Sequence, residues 1–195
     1  MIIYELTRGL AYRRIQHSEM HWYTRTLPAL LTIVGSSAVL LLPAQPALLG
    51  KDGLLAGSLS VLSTLPGFYF AGLAAVATFN GLNMDALMPA PAPRLNVDVG
   101  GSSSLVELSR RQFLSYLFSY LVLLSFVLCV ASLAVAAATP SLALLKDLLF
   151  ETDTGQKAWF LIKTISVTGY IGIASSILVT TLHGMFFLTE RIHQP

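Results

Sequence analysis

Residues 158–188 read AWFLIKTISVTGYIGIASSILVTTLHGMFFL, and this stretch decides the fold. Its one charge, Lys163, stands near its start, so the rest can sit in hydrocarbon, which a helix of about 20 apolar residues crosses. Small residues recur at every fourth place: Thr164, Thr168, Gly172, Ser176, Thr180 and Gly184. Steps of four follow one ridge of a 3.6-residue helix, the ridge on which small side chains let two helices approach closely. Each step drifts by about 40°, so the ridge winds round the helix and predicts a crossed contact.

Composition agrees with a membrane protein. Of 195 residues, 54% are hydrophobic and 11% charged, against about 25% charged in an ordinary soluble chain. A net charge of +2 is too small to suggest nucleic acid, and no direct nucleic-acid contact is expected. The single cysteine, Cys129, lies in an apolar run, where it reads as a small packing residue.

Four apolar runs predict an all-α membrane protein with transmembrane helices over about 27–42, 54–79, 113–138 and 158–188. The first follows 26 mostly polar residues with no small-x-small site after it, so it reads as a retained span rather than a leader. Residues 1–26 are basic and aromatic. Their stripe of Ile3, Leu6 and Leu10 predicts an amphipathic interfacial helix, with Arg8, Arg13 and Arg14 toward anionic lipid or a partner. His17 and His21 stand four apart, but no further ligand accompanies them, so no metal or cofactor is expected. The first span, at 16 residues, is short for the bilayer. In the second, Pro66 predicts a kink whose freed carbonyls neighbouring serines can satisfy, and Gly67, Ala71 and Ala75 form a second four-step ridge. The two ridges are expected to pack against each other.

Residues 80–112 form the long polar connection. Met88-Pro89-Ala90-Pro91-Ala92-Pro93 suggests polyproline II. Gly100-Gly101-Ser102-Ser103 favours a flexible linker after it; the alternative is that Arg94 to Val99, which alternates, forms one strand with no partner evident in the chain. Ser104 with Glu107 reads as a capping box ahead of Arg110 and Arg111, which are expected, with Arg8, Arg13 and Arg14, to contact lipid or a partner. Thr139-Pro140 is expected to stop the third helix, and Leu142, Leu145 and Leu149 to form a short surface helix before the fourth, which Asp153 and Gln156 would cap. Residues 189–195 are a tail.

This threading puts all eight arginines on one side: Arg8, Arg13, Arg14, Arg25, Arg94, Arg110, Arg111 and Arg191. Lys51, Lys146, Lys157 and Lys163 lie on or near the other. Basic excess in short flanking segments faces the cytoplasm, so both termini and the proline-containing loop are expected there, in a bacterial inner membrane.

No nucleotide-binding glycine motif, metal-ligand cluster or nucleophile elbow is present, so an enzyme is not expected. In topology and size the chain resembles small four-span bacterial inner-membrane proteins, such as membrane subunits of anti-phage defence systems and bacteriocin immunity proteins. That resemblance implies a separately encoded cytoplasmic partner. The expected role is an oligomeric membrane anchor or sensor that recruits or regulates that partner. A pore- or channel-forming effector is the first alternative and a toxin-immunity protein the second. For a pore, the hydroxyls of the fourth helix would supply the lining.

Overall fold

The computed structural model describes residues 8–42, 53–78, 84–99 and 102–190. It is mostly helical (80%), and four of its helices are long and apolar enough to cross a membrane. The first helix starts earlier than expected. A widened π turn, Trp22–Thr26, runs into α1, Leu27–Leu41, giving 20 continuous residues, about 30 Å of helix. Polar residues fit this start because Thr24 Oγ1 donates to the Met20 carbonyl (2.8 Å) and Thr26 Oγ1 meets His21 Nε2 (3.1 Å). Pro28, with no N–H to give, follows the widened turn.

The second apolar run is α2, Leu54–Leu62, and α3, Leu65–Thr78. It breaks just before Pro66, as expected. Pro66 cannot donate to the Leu62 carbonyl, while Ser63 Oγ and Thr64 Oγ1 donate to Ser60 and Val61 carbonyls (3.0 and 2.8 Å).

Pro140 does not stop the third helix. α4 runs unbroken from Arg110 to Phe150, 41 residues, so the expected separate surface helix is its last turns. One proline removes one backbone bond and costs about 3 kcal/mol. The surrounding alanines and leucines, good helix formers, carry the helix through it. α5, Asp153–Thr189, is capped by Thr152 rather than Asp153: Thr152 Oγ1 accepts from Gly155 N (3.1 Å). Gln156 instead donates to the Phe150 carbonyl at 3.2 Å. Only glycine fits at 155, since a Cβ would stand 2.0 Å from the Leu149 carbonyl oxygen.

α4 is the hub. It packs on α2, α3, α5 and an N-terminal 3₁₀ segment, Arg8–Arg14, while α1 packs on α5. That 3₁₀ segment corrects the expected interfacial helix. Ala11 and Tyr12 are buried, Tyr12 completely, against Phe113 and Tyr120 of α4. Ile3 and Leu6 of the predicted stripe lie outside the described residues.

The connection before α4 also differs. β1, Arg94–Val99, has a partner: β2, Ser102–Glu107, antiparallel, from Arg94↔Glu107 to Val99↔Ser102. Ser104 and Glu107 are therefore strand residues. The capping box lies at Ser109 and Gln112, where Ser109 Oγ accepts from Gln112 N (3.3 Å) and Gln112 Oε1 from Ser109 N (3.1 Å). The proline stretch bends, with a cis Ala90–Pro91 peptide, and is not straight polyproline II.

Candidate functional site: the arginine end of the bundle

The two predicted ridges do not meet. Gly67, Ala71 and Ala75 are all exposed, and a Cβ at Gly67 would meet nothing within 4 Å. The close approach on α3 is at Gly72, where a Cβ would stand 2.6 Å from Phe118 Cε1 of α4. The α5 ridge does wind, so its members touch different helices. Gly172 faces Thr32 of α1, with 3.6 Å to a built Cβ, and Gly184 faces Leu117 of α4 at 3.0 Å. Thr180 is buried and Ser176, half-buried, faces the Tyr120 hydroxyl; Thr168 is half-buried.

Tyrosines supply the link from the second apolar run to α5. Tyr170 and Ser58 hydroxyls lie 2.7 Å apart, as do Tyr69 and Thr181. Ser58 Oγ already donates to Leu55 O (3.0 Å) and Thr181 Oγ1 to Ile177 O (2.7 Å), so each tyrosine is the donor. Both pairs bridge 112 positions, so α5 runs in step with α2 and α3 across their break.

At the other end of these helices the N-terminal segment, the hairpin and the proline stretch form one platform. Gln16 and Arg94 exchange backbone bonds (2.8 and 3.0 Å), which ties the first segment to β1. Leu108 N donates to Pro93 O (2.9 Å), while Met88 N and Arg110 N donate to Leu108 O and Ala86 O (3.2 and 3.1 Å). The hairpin base is thus held on both sides. Beyond it, the outer edge of β2 has no partner among the described residues. Antiparallel alternation, set by the Leu108–Pro93 bond and the register, turns the backbone groups of Ser103, Leu105 and Glu107 toward that edge. Leu105 and Val106 are exposed there.

The arginines sort into structural and surface members. Arg8 donates to the Tyr116 hydroxyl (2.5 Å). Arg111 grips both oxygens of Asp85 (2.7 and 3.1 Å) and donates to the Ala77 carbonyl (3.1 Å), closing the C-terminal end of α3. Arg94 pairs with Glu107 across the hairpin at 2.7 Å. Arg110, expected as a lipid or partner contact, is buried, whereas Arg13 and Arg14 are exposed.

Sequence reading missed the centre of this end. Tyr12 stacks on Tyr120 with centroids 5.3 Å apart, and its hydroxyl has no hydrogen-bond partner among the described residues. Burial, reinforced by the nearby Tyr120 and Tyr23 hydroxyls, pushes the Tyr12 phenol well above its ordinary range. Beside it opens a pocket of about 50 Å³ lined by Glu19, His17, Tyr23, His183 and Phe113, roofed by the proline stretch. His17 and His21 do not share a helical face: His17 Nδ1 accepts from Glu19 N (3.3 Å), and His21 turns to Thr26. Among the described residues no cluster of His, Cys, Asp or Glu could hold a metal.

No family matches this chain, and no similar protein was found among curated proteins or solved structures.

Proposed function

We propose that the chain is an integral protein of the bacterial inner membrane. Both termini and the arginine end face the cytoplasm, where it anchors a separately encoded cytoplasmic protein. Arginine in short flanking segments supports the orientation. The observation that carries the anchoring role is the hairpin, clamped at its base and open along the outer edge of β2. An exposed edge is a template on which a partner's extended segment adds as a further strand, with Leu105 and Val106 offering apolar contact on the two faces. Its topology and size suit a membrane subunit of an anti-phage defence assembly, working as a homo-oligomer.

The pore-forming alternative draws on the hydroxyls of α5, yet two of these are engaged inside the bundle: Thr181 with Tyr69 and Ile177, and Ser176 facing Tyr120. A conduit would have to form between copies. Nothing described favours toxin immunity.

The test is co-purification in mild detergent from native-level expression. A stoichiometric soluble partner should be recovered with the wild-type chain and lost with Leu105→Pro, which removes an outward N–H that the hairpin does not use. Val106→Pro, which breaks an internal hairpin bond, should disorder the platform itself. If Leu105→Pro retains the partner fully, or no partner appears, the anchoring reading fails.

A further inference from the structure

The pocket beside Tyr12 has a chemistry at odds with the arginines around it. Among the described residues no lysine or arginine lines it; its walls are Tyr23, Phe113, Phe187, the His183 ring and two methionines, and its acid is Glu19. The rings converge: Tyr23 and His183 lie 4.1 Å apart between centroids, and Phe113 and Phe187 5.1 Å. Glu19 has no ion pair among the described residues. Aromatic faces with one carboxylate select a cation, which the ring quadrupoles attract and the carboxylate neutralises. A phosphate or carboxylate ligand would meet Glu19 and apolar walls.

Size narrows the cation. About 50 Å³ admits about three to five water-sized bodies, enough for a primary ammonium on a two-carbon stem but tight for a bulkier quaternary head. Position narrows it further. Tyr23 and His183 sit in the first turns and last turns of helices long and apolar enough to span a bilayer, so the pocket opens at headgroup depth.

We propose that this pocket binds the ammonium of a zwitterionic phospholipid headgroup, of the phosphoethanolamine type. This rests on the membrane reading above but not on the recruited partner. A lipid held here would touch the His17–Met20 segment and the proline stretch, the two elements that carry the hairpin base.

The test uses delipidated full-length protein and native mass spectrometry with short-chain phosphatidylethanolamine, phosphatidylcholine and phosphatidylglycerol, and with soluble phosphoethanolamine. Carbonate extraction of cell membranes comes first: release of the chain into the aqueous phase would overturn the membrane reading itself, independently of the lipid measurement. The ethanolamine lipid should bind at least about tenfold more tightly than the glycerol lipid. Glu19→Gln should remove most of that preference without changing the unfolding midpoint, since Glu19 is exposed, and Tyr23→Leu should remove it as well. Equal affinity for the glycerol lipid, or a preference unchanged in both variants, overturns the proposal. Soluble phosphoethanolamine binding as tightly as the lipid would overturn the lipid assignment and make the ligand a free amine.

Discussion

Placing a side chain at Gly72 separates the observed packing from the one its ridge pattern suggests. A Cβ there would stand 2.6 Å from Phe118 Cε1 and 2.9 Å from Cδ1, where carbon pairs prefer about 3.5–4.0 Å. The ring must therefore retreat by about 1 Å, or α3 must move off α4. Overpacking of this kind costs about 1–3 kcal/mol, while replacing a helical glycine returns about 1 kcal/mol at most. Gly72→Ala should thus fall between neutral and about 2 kcal/mol destabilised, and Gly72→Leu lower still. Gly67→Leu is the control: nothing lies within 4 Å of its Cβ, so only the propensity gain remains. Unfolding by SDS titration in mixed micelles, followed by circular dichroism, reads all three. Adding Phe118→Ala to Gly72→Leu should recover at least about 1 kcal/mol as a coupling term. If Gly67→Leu proves as damaging as Gly72→Leu, or the coupling to Phe118 is absent, α3 packs through the other face and the reasoning is refuted.

Tyr12→Phe should leave stability at neutral pH unchanged or raise it by up to about 1 kcal/mol, because it deletes a buried hydroxyl with no partner among the described residues. An unfolded tyrosine loses its proton near pH 10, whereas burial keeps Tyr12 protonated beyond that. Its share of stability is therefore intact below about pH 10 and lost as pH rises, and the wild-type melting point should fall more steeply than the variant's there. Arg111→Ala should lower the midpoint by about 1 kcal/mol and Asp85→Asn by less. Asp85 is largely exposed, so solvent screens the ion pair, while the Ala77 carbonyl loses its donor only in the arginine variant. Equal effects would mean that the ion pair, not the helix-end bond, does the stabilising.

The helices were legible because hydropathy and length are enough to find them, and the break before Pro66 was legible because proline has no N–H for the carbonyl four residues back. Pro140 was misread because one lost backbone bond costs less than giving up the apolar turns beyond it. The hairpin carried a signal that reads equally as a flexible linker. Gly100-Gly101 is a two-residue link of a kind that favours the twisted hairpin turn, set between six-residue runs. The second run, SSSLVE, is too polar to announce itself as a strand, and it is recognisable only once the turn fixes its register. Tyr12 does not stand out among the aromatics of residues 1–26, since nothing local distinguishes a ring at a membrane surface from one inserted against α4.

Why the contact faces stayed hidden follows from the solvent. In water a helix declares its buried face by placing polar residues opposite; in lipid both faces are apolar, and the period is erased. Small residues do not replace that signal. Gly67 and Gly72 lie on the same helix, yet one meets open space and the other a phenyl ring. Hydroxyls are ambiguous for a different reason: Ser36 and Ser132 each donate to a carbonyl four residues back (2.6 and 2.7 Å), a use that reports nothing about neighbours. A tyrosine cannot hide its hydroxyl that way, because the ring carries it beyond its own backbone. Inside an apolar run it must find a partner on another helix. Tyr69 and Tyr170 do this, with Thr181 and Ser58, and the 11-residue spacing from Ser58 to Tyr69 equals that from Tyr170 to Thr181. Eleven residues are about three turns, so both bonds fall on one seam. Matching tyrosines to hydroxyls at that interval would have placed α5 beside α2 and α3 from the residues alone, where the glycine ridge pointed to the wrong face.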